Sequence, residues 1–175
     1  MSAEPVAATG TRLPTGHWHL LPDQSTASFQ VANLGFRTVT GTIPLREGSA
    51  HVDAAGELVG VRAVLDLDGL DTGSWRRDAD LRKPHLLDTD RHPELTFEGA
   101  GLAPASAGWR LEGRLGCRGT SAPVQVAVRT PDPGADPVEL HLDTELDRRD
   151  LGLRVPRLLI GQRVRVTLVT RWRRG

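Results

Sequence analysis

Residues 70–74 read LDTGS, an apolar residue followed by Asp-Thr-Gly-Ser, as at the catalytic carboxylate of an aspartic protease. That chemistry requires two carboxylates that share one proton, and this sequence contains one Asp-Thr-Gly. A homodimer would supply the second, and LLIGQ at 158–162 is the kind of segment that packs behind such a loop. However, charged residues follow at 76–78, where a dry catalytic cradle is needed. We expect Asp71 to end a strand before a turn at Gly73, with a homodimeric aspartic-type hydrolase using Asp71 as the alternative.

Other residues that could do chemistry are sparse. His17 and His19 share a strand face and could begin a zinc site, but no third ligand follows at a telling spacing. Cys117 is the only cysteine, which excludes an internal disulfide and a Cys-based zinc site. We expect Cys117 to face inward and to pack as a small hydrophobic residue. The sequence shows no Ser-His-Asp arrangement, phosphate loop or dinucleotide glycine pattern. We therefore predict no catalytic residue, no metal, no cofactor and no enzyme activity.

The elements that must position these residues are mostly strands. Apolar and polar residues alternate with a period of two, which is typical of half-buried strands. Turns rich in Gly and Pro separate the alternating runs, as in a meander of antiparallel strands. Inward-facing positions are predicted at Ala27, Phe29, Val31, Val39, Gly41, Ile43, Val59, Val61, Ala63, Leu65, Leu67, Val164, Val166 and Leu168.

Residues 71–92 interrupt the alternation with a dense run of charges. Ser74 is expected to cap a short helix, because its hydroxyl can accept from the N–H groups of the next turn. Asp78 and Arg82 have the i,i+4 spacing, acid first, that favours an ion pair along a helix. Pro84 then ends the helix. The sequence therefore predicts one short helix within an otherwise all-β chain.

Length and charge limit the class of protein further. The 175 residues suggest one domain, and 22 basic residues balance 22 acidic ones, so no basic excess favours nucleic acid. No apolar stretch approaches about 18 residues, and the N-terminal region lacks the basic and apolar parts of a secretory signal. We expect a cytoplasmic protein with no nucleic-acid partner and no membrane span. A disordered tail is predicted at residues 1–15 and a single domain at 16–175.

Motifs along nearly all of this chain resemble those of the YceI-like family, bacterial lipocalin-like proteins associated with polyisoprenoid binding. Each motif alone is weak, but they occur in order with matching spacing. Two downstream segments, GRLGCRGTSAPVQV and DRRDLGL, resemble the family's Gly-Thr-x-x-Pro-Val hairpin and its Arg-x-x-Leu-Gly turn. The earlier matches are Trp18, Ser25, Leu34-Gly35, Val39-x-Gly41, Thr72-Gly73, Arg77-Asp78, Leu81-Arg82, Asp88, Pro93 and Phe97. Three positions where the family usually has His are Gln24, Asn33 and Asp80 here.

The resemblance implies an up-and-down antiparallel β-barrel of about eight strands with one short helical insertion near residues 74–90. It implies a non-enzymatic carrier that holds a long-chain isoprenoid lipid, polyprenyl or quinone-like, in the lumen. A homodimer is also possible, and a packed barrel acting as an interaction module is a further alternative. The residues expected to line the lumen are Phe29, Val31, Asn33, Val39, Ile43, Val61, Ala63, Leu65, Phe97, Val164, Val166 and Leu168.

Polar groups near the mouth of such a barrel would orient a lipid head group. Arg77 and Arg82 are the candidates, since a planar guanidinium suits phosphate. The alternative for Arg77 is a purely structural role, in which it and Asp78 fix the helix. Small residues on inward faces, such as Gly41, Ala63 and Gly113, are expected to leave room for the ligand.

Overall fold

The computed structural model describes residues 13–33, 37–132, 134–154 and 160–175. Within these ranges the chain forms ten strands and one short α-helix, α1 (Trp75–Leu81). The strands are β1 (Gly16–Leu20), β2 (Thr26–Asn33), β3 (Arg37–Thr42), β4 (Leu45–Val52), β5 (Leu58–Asp66), β6 (Glu94–Ala105), β7 (Gly108–Cys117), β8 (Thr120–Arg129), β9 (Val138–Asp147) and β10 (Ile160–Arg174).

The strands close into a barrel because β10 has partners along both edges. One edge pairs with β9, and the other pairs first with β2 and then, near its C-terminal end, with β1. From β1 the sheet continues through β4, and β4 to β9 follow one another as a meander. β1 and β2 together act as one long bent strand of the barrel, and so do β3 and β4. With the six strands β5 to β10, the described residues therefore form a closed eight-stranded antiparallel barrel. The predicted fold is confirmed.

The alternation predicted for β10 is confirmed. Arg163, Arg165 and Thr167 are exposed, whereas Val164 and Val166 are half-buried on the opposite face. In a closed sheet, the two faces of each strand point to the lumen and to solvent. The period-two pattern therefore determines which side chains reach the interior.

One part of the predicted alternation is wrong. Val59 was expected to face inward but is 53% exposed. His51 pairs with Gly60 and Val52 pairs with Leu58, so Val59 is the extra residue of a β-bulge between β4 and β5. The bulge shifts the alternation by one residue, and Leu58 lines a lumen cavity instead.

The inward-facing glycines do not leave room for a ligand, contrary to expectation. A Cβ on Gly41 would collide with the ring of Phe29, and one on Gly113 would come within 2.6 Å of two ring carbons of Phe97. The rings of Phe29 and Phe97, from neighbouring strands, thus occupy the space that a side chain at each glycine would take. Gly41 and Gly113 serve packing inside the barrel.

Residues 1–12 of the predicted tail lie outside the described residues, while residues 13–15 lie against the barrel end formed by β1 and β4. The Thr15 hydroxyl donates to the carbonyl of Asp53 at 2.8 Å, and the indole of Trp18 donates to the carbonyl of Pro14 at 3.1 Å. Within the described part of the chain, no helix is long and apolar enough to cross a bilayer.

Candidate functional site

The barrel end beside α1 contains a cavity of about 140 Å³, called cavity 1. Strands β2 and β10 supply Phe29, Val31, Val164 and Val166 to its wall. The insertion after β5 supplies a cover of leucines, and the wall is apolar apart from one arginine. The covering leucines are Leu67, Leu70, Leu81, Leu86 and Leu87.

A second cavity of about 190 Å³, cavity 2, lies at the other end of the barrel. Its wall contains Trp18, Trp109 and Trp172, and residues 13 and 14 lie across it. No charged residue lines it within the described chain. The two cavities have no lining residue in common.

The cavities are separated by a layer of packed side chains, which we call the waist: Leu45, Leu65, Phe97 and Leu168. Along β10, Val166 lines cavity 1, Leu168 lines neither cavity, and Trp172 lines cavity 2. Leu168 packs with the cluster that contains Leu65 and Leu45, and Phe97 packs against clusters at both ends. The lumen is therefore neither a continuous tunnel nor packed solid, which disfavours the packed-barrel alternative.

The LDTGS segment forms a turn. Asp71 is exposed, and its carboxylate accepts from the N–H of Gly73 at 2.8 Å. Its backbone makes two hydrogen bonds with Thr42 at the end of β3, at 2.8 and 3.0 Å. The turn interpretation is confirmed, and this geometry offers nothing to the hydrolase alternative. Of the LLIGQ segment, residues 158 and 159 lie outside the described residues and Ile160 lines cavity 1.

The start of α1 is fixed by a buried polar cluster. The carboxylate of Asp78 accepts from both the N–H and the hydroxyl of Thr72, at 3.0 and 2.5 Å. Arg77 donates to the same hydroxyl at 2.8 Å and to the Thr72 carbonyl at 3.0 Å. Ser74 accepts from the N–H of Arg77 at 3.4 Å, which confirms the predicted cap. Asp78 is thus turned inward to Thr72, so the predicted ion pair with Arg82 does not form.

Arg82 connects the end of α1 to the turn that precedes it. Its guanidinium donates to the carbonyls of Asp68 and Leu70, at 3.1 and 2.8 Å. Neither Arg77 nor Arg82 lines cavity 1. Their contacts within the insertion support the structural alternative over the head-group role predicted for both.

Sequence reasoning missed Arg148, the charged residue in the wall of cavity 1. Its side chain is 3% exposed and donates to the carbonyls of Leu153, Ile160 and Gly161, at 2.6, 2.9 and 3.0 Å. These contacts join the two described ends of the β9–β10 connection beside the cavity. The Arg-x-x-Leu-Gly motif was the signal that could have identified it, since the motif's Arg is residue 148.

Cys117 is buried and lines cavity 1, so its prediction as a small inward-facing hydrophobe is confirmed. Burial raises the pKa of the thiol from 9.0 to about 11, and the nearby charge of Arg118 opposes this shift. The thiol is therefore neutral at neutral pH. Cys117 therefore contributes an apolar group to the wall of cavity 1.

His17, the first residue of the histidine pair, takes part in a stack of two imidazole rings. His17 pairs with His51 across β1 and β4, and their rings stack with centroids 4.5 Å apart. Both residues and His19 are exposed. Among the described residues, no group of three or more potential ligands is placed to hold a metal ion.

The residues predicted to line the lumen fall into three groups. Phe29, Val31, Ile43, Val164 and Val166 line cavity 1. Leu65, Phe97 and Leu168 belong to the waist, and Val61 packs with the same clusters. Val39 and Ala63 are half-buried and line neither cavity, while the side chain of Asn33 lies outside the described residues.

A closed eight-stranded antiparallel barrel with apolar lumen cavities places the protein in the lipocalin-like class. The chain belongs to the YceI-like family, because that family's model, a YceI-like domain, matches residues 18–172. The resemblance predicted from the sequence is thus confirmed. Two curated relatives are described as UPF0312 proteins. The one from Azotobacter vinelandii is 29% identical over 133 residues, 72% of this chain and 69% of its own. One from Yersinia enterocolitica is 26% identical over 110 residues, 62% of this chain and 57% of its own.

Solved structures support the same fold. BcnA of Burkholderia cenocepacia matches with a TM-score of 0.75 at 14% identity, over 86% of this chain and 98% of its own. A domain from Saccharophagus degradans, described as polyisoprenoid binding and implicated in plant cell wall breakdown, matches with a TM-score of 0.63. It is 17% identical over 90% of this chain and 98% of its own.

Proposed function

We propose that this protein is a non-enzymatic carrier of an isoprenoid-type lipid, whose hydrocarbon chain enters the lumen at cavity 1. The observation that carries the proposal is the wall of cavity 1, which is built from apolar side chains on strands, insertion and turns alike. Burying a methylene group in such a wall yields about 0.8 kcal/mol. The Saccharophagus degradans domain, described as polyisoprenoid binding, supports the choice of an isoprenoid chain.

The site selects for the hydrocarbon chain more than for a charged head group. Arg148 directs its guanidinium at three backbone carbonyls, and Arg77 and Arg82 are engaged within the insertion. Polyprenyl and quinone-like lipids share the prenyl chain, so both fit the proposal. A cytoplasmic location and a homodimer stay predictions from the sequence.

The proposal is tested first by native mass spectrometry of the purified protein, which should show a copurified lipid that is released on unfolding. Added geranylgeraniol should bind to protein from which that lipid has been removed. Val166→Trp should abolish this binding, because Val166 lines cavity 1 and an indole there would fill it.

Arg165→Trp is the matched control. Arg165 is the next residue of β10 but faces solvent, so the same new side chain should leave binding unchanged. Protein that arrives without lipid from several hosts and takes up no prenyl alcohol would refute the carrier proposal. Unchanged binding in Val166→Trp would place the bound lipid outside cavity 1.

A further inference from the structure

We infer that the hydrocarbon chain reaches cavity 1 through the side of the barrel, where β8 and β9 are not paired with each other. The inference rests on the proposed carrier function and adds the route by which the chain enters. Each of these strands has ten residues, but their ladder joins only Ala127–Arg129 to His141–Asp143. Residues 123–126 and 144–147, all within the described chain, would face each other next but form no ladder pair. We call this unpaired stretch the seam.

The seam lies between two stretches of continuous pairing. Residues 109–117 of β7 all pair with β8, and residues 138–147 of β9 all pair with β10. To separate either of these pairs of strands, a whole row of backbone hydrogen bonds would have to break. The wall of the barrel should therefore open more readily at the seam than along either neighbouring ladder.

A side-chain hydrogen bond holds the seam closed. The hydroxyl of Thr144 donates to the carbonyl of Gln125 at 2.7 Å, across the stretch where the ladder has ended. Thr144 has the same strand face as Leu142 and Leu146, but it lines neither cavity. Its hydroxyl therefore joins β8 to β9 and does not contact a chain in cavity 1.

The inner side of the seam is apolar and leads into cavity 1. Val124 of β8 and Leu146 of β9 pack against the same core cluster, and Leu146 also lines cavity 1. Just beyond the seam, Ala122 and Leu151 are buried members of that cluster. Because these contacts are apolar, a hydrocarbon chain can replace them as it passes.

The cover after β5 is a less favourable entrance. Its helix is fixed by the hydrogen bonds that Asp78 and Arg77 make with Thr72, and by those of Arg82 with two carbonyls. Lifting the cover would break several bonds of buried or half-buried polar groups, each of which is costly to leave unpaired. Opening the seam instead breaks the Thr144 hydrogen bond and apolar contacts. The chain therefore enters at the seam while the cover stays closed.

The first test follows the exchange of bound geranylgeraniol for its deuterated form, by native mass spectrometry at timed intervals. Thr144→Val should speed this exchange about fivefold, since the loss of roughly one net hydrogen bond favours the open seam. The equilibrium affinity should stay the same, because the closed protein is destabilised equally with and without lipid. Thr144→Ser retains the hydroxyl and should exchange lipid at the wild-type rate. Thr167→Val is the matched control, since the Thr167 hydroxyl donates to Asp143 at 3.0 Å across the intact β9–β10 ladder.

The second test locks the seam with a disulfide. Gln125→Cys and Glu145→Cys place two cysteines at exposed positions on either side of the seam, in a Cys117→Ala background. Oxidation, confirmed by intact mass, should slow lipid exchange about tenfold or more, and reduction should restore the rate. The control disulfide combines Gln125→Cys with Glu112→Cys in the same background. It joins residues that already face each other in the β7–β8 ladder, so it should leave the exchange rate unchanged.

Three results would overturn the inference. They are a wild-type exchange rate in Thr144→Val, a loss of affinity in Thr144→Val as large as its gain in rate, and an unchanged rate after the seam disulfide forms. The last result would mean that the chain enters past the cover, and the carrier proposal would stand. A protein that binds no prenyl alcohol at all would refute the carrier proposal, and the inference with it.

Discussion

Arg148 shows how a charged side chain can belong to an apolar site. The guanidinium is buried beside cavity 1, where its charge would be costly if it were not directed at backbone carbonyls. Arginine suits this role because its planar fork bonds several oxygens in fixed directions. Its position in the fold therefore indicates a structural function at the mouth of the cavity.

Arg148→Met should lower the free energy of unfolding by about 3–5 kcal/mol, because it removes a buried donor group that bonds three backbone carbonyls. Arg148→Lys should recover little of this loss, since one ammonium cannot replace the fork. Urea denaturation followed by circular dichroism measures both. Arg149→Met is the matched control: its side chain is exposed and pairs with Asp147 at the surface, so unfolding should hardly change. Stability of Arg148→Lys equal to wild type would contradict this account.

The Cys117 thiol makes stability depend on pH in the alkaline range. The unfolded thiol ionises near its ordinary pKa of 9.0, whereas the folded one ionises at about 11. Between these values the unfolded state binds fewer protons, so the free energy of unfolding falls as pH rises, by on the order of 2–3 kcal/mol in all. Below about pH 9 the contribution is fully present.

Cys117→Ala should abolish that part of the slope. The measurement is the difference in unfolding free energy between wild type and variant at about pH 8.5 and about pH 10.5. Other groups that titrate in this range are common to both proteins, so the difference isolates the thiol. Parallel pH profiles for the two proteins would show that the thiol is not shielded as the structure indicates.

At the scale of elements, the insertion after β5 acts as the cover of cavity 1. β3 has no strand partner on its outer edge among the described residues, apart from the bridge between Thr42 and Asp71. The insertion fills the space beside that edge, and its leucines complete the cavity wall. Arg82 ties its helix to the preceding turn through two carbonyls.

Arg82→Ala should loosen this cover and speed the labelling of Cys117 by a small thiol reagent about fivefold, since roughly one net hydrogen bond's stability is lost from a local opening. Lys83→Ala is the control, because Lys83 pairs with Asp80 at the surface. The readout is the labelling rate of the native protein at fixed pH. The head-group role of Arg82 would be favoured instead by a different result. In that case Arg82→Ala would leave the labelling rate unchanged and would bind a prenyl phosphate more weakly than wild type does, with no change in its affinity for a prenyl alcohol.

The elements were more predictable than their contacts. Alternation in the sequence identifies the inward face of β10 directly, because a period of two is a local property of the chain. The bulge at Val59 could not be foreseen, since it depends on the register between β4 and β5. Likewise, the spacing of Asp78 and Arg82 suits an ion pair, but the tertiary position of Thr72 gives Asp78 a better partner.

At the candidate site, too, the residues that follow from local alternation were predictable, and those that depend on long-range contacts were not. Val164 and Val166 follow from alternation, and both line cavity 1. Leu86 and Leu87 do not, because they belong to an irregular segment whose path across the barrel end is set by its contacts. One of these is the Arg118 guanidinium donating to the carbonyl of Leu86 at 2.5 Å. Which inward residues line a cavity, and which pack into the waist, depends on long-range packing.

For the molecule as a whole, the waist limits how much of a lipid the lumen can hold. Cavity 1 is about the size that holds a benzene-sized guest, and burying about six carbons there yields roughly 5 kcal/mol before ordering costs. That corresponds to a dissociation constant between millimolar and micromolar. Tighter binding of a long prenyl chain therefore requires the chain to pass between the waist side chains.

Widening the waist should accordingly favour long chains over short ones. Phe97→Leu removes part of the ring that lies over Gly113, so a chain displaces less packing when it passes. We expect geranylgeraniol, with four prenyl units, to bind several-fold more tightly to this variant, because opening the waist costs less. Prenol, with one unit of five carbons, fits within cavity 1 and should bind equally to both proteins. Val64→Ala controls for lost stability, since Val64 is buried but lies on the strand face opposite the waist residue Leu65. Isothermal titration of both alcohols against the three proteins decides the matter. If Phe97→Leu leaves the ratio of the two affinities unchanged, the waist does not control access, and the chain must leave the barrel beside cavity 1.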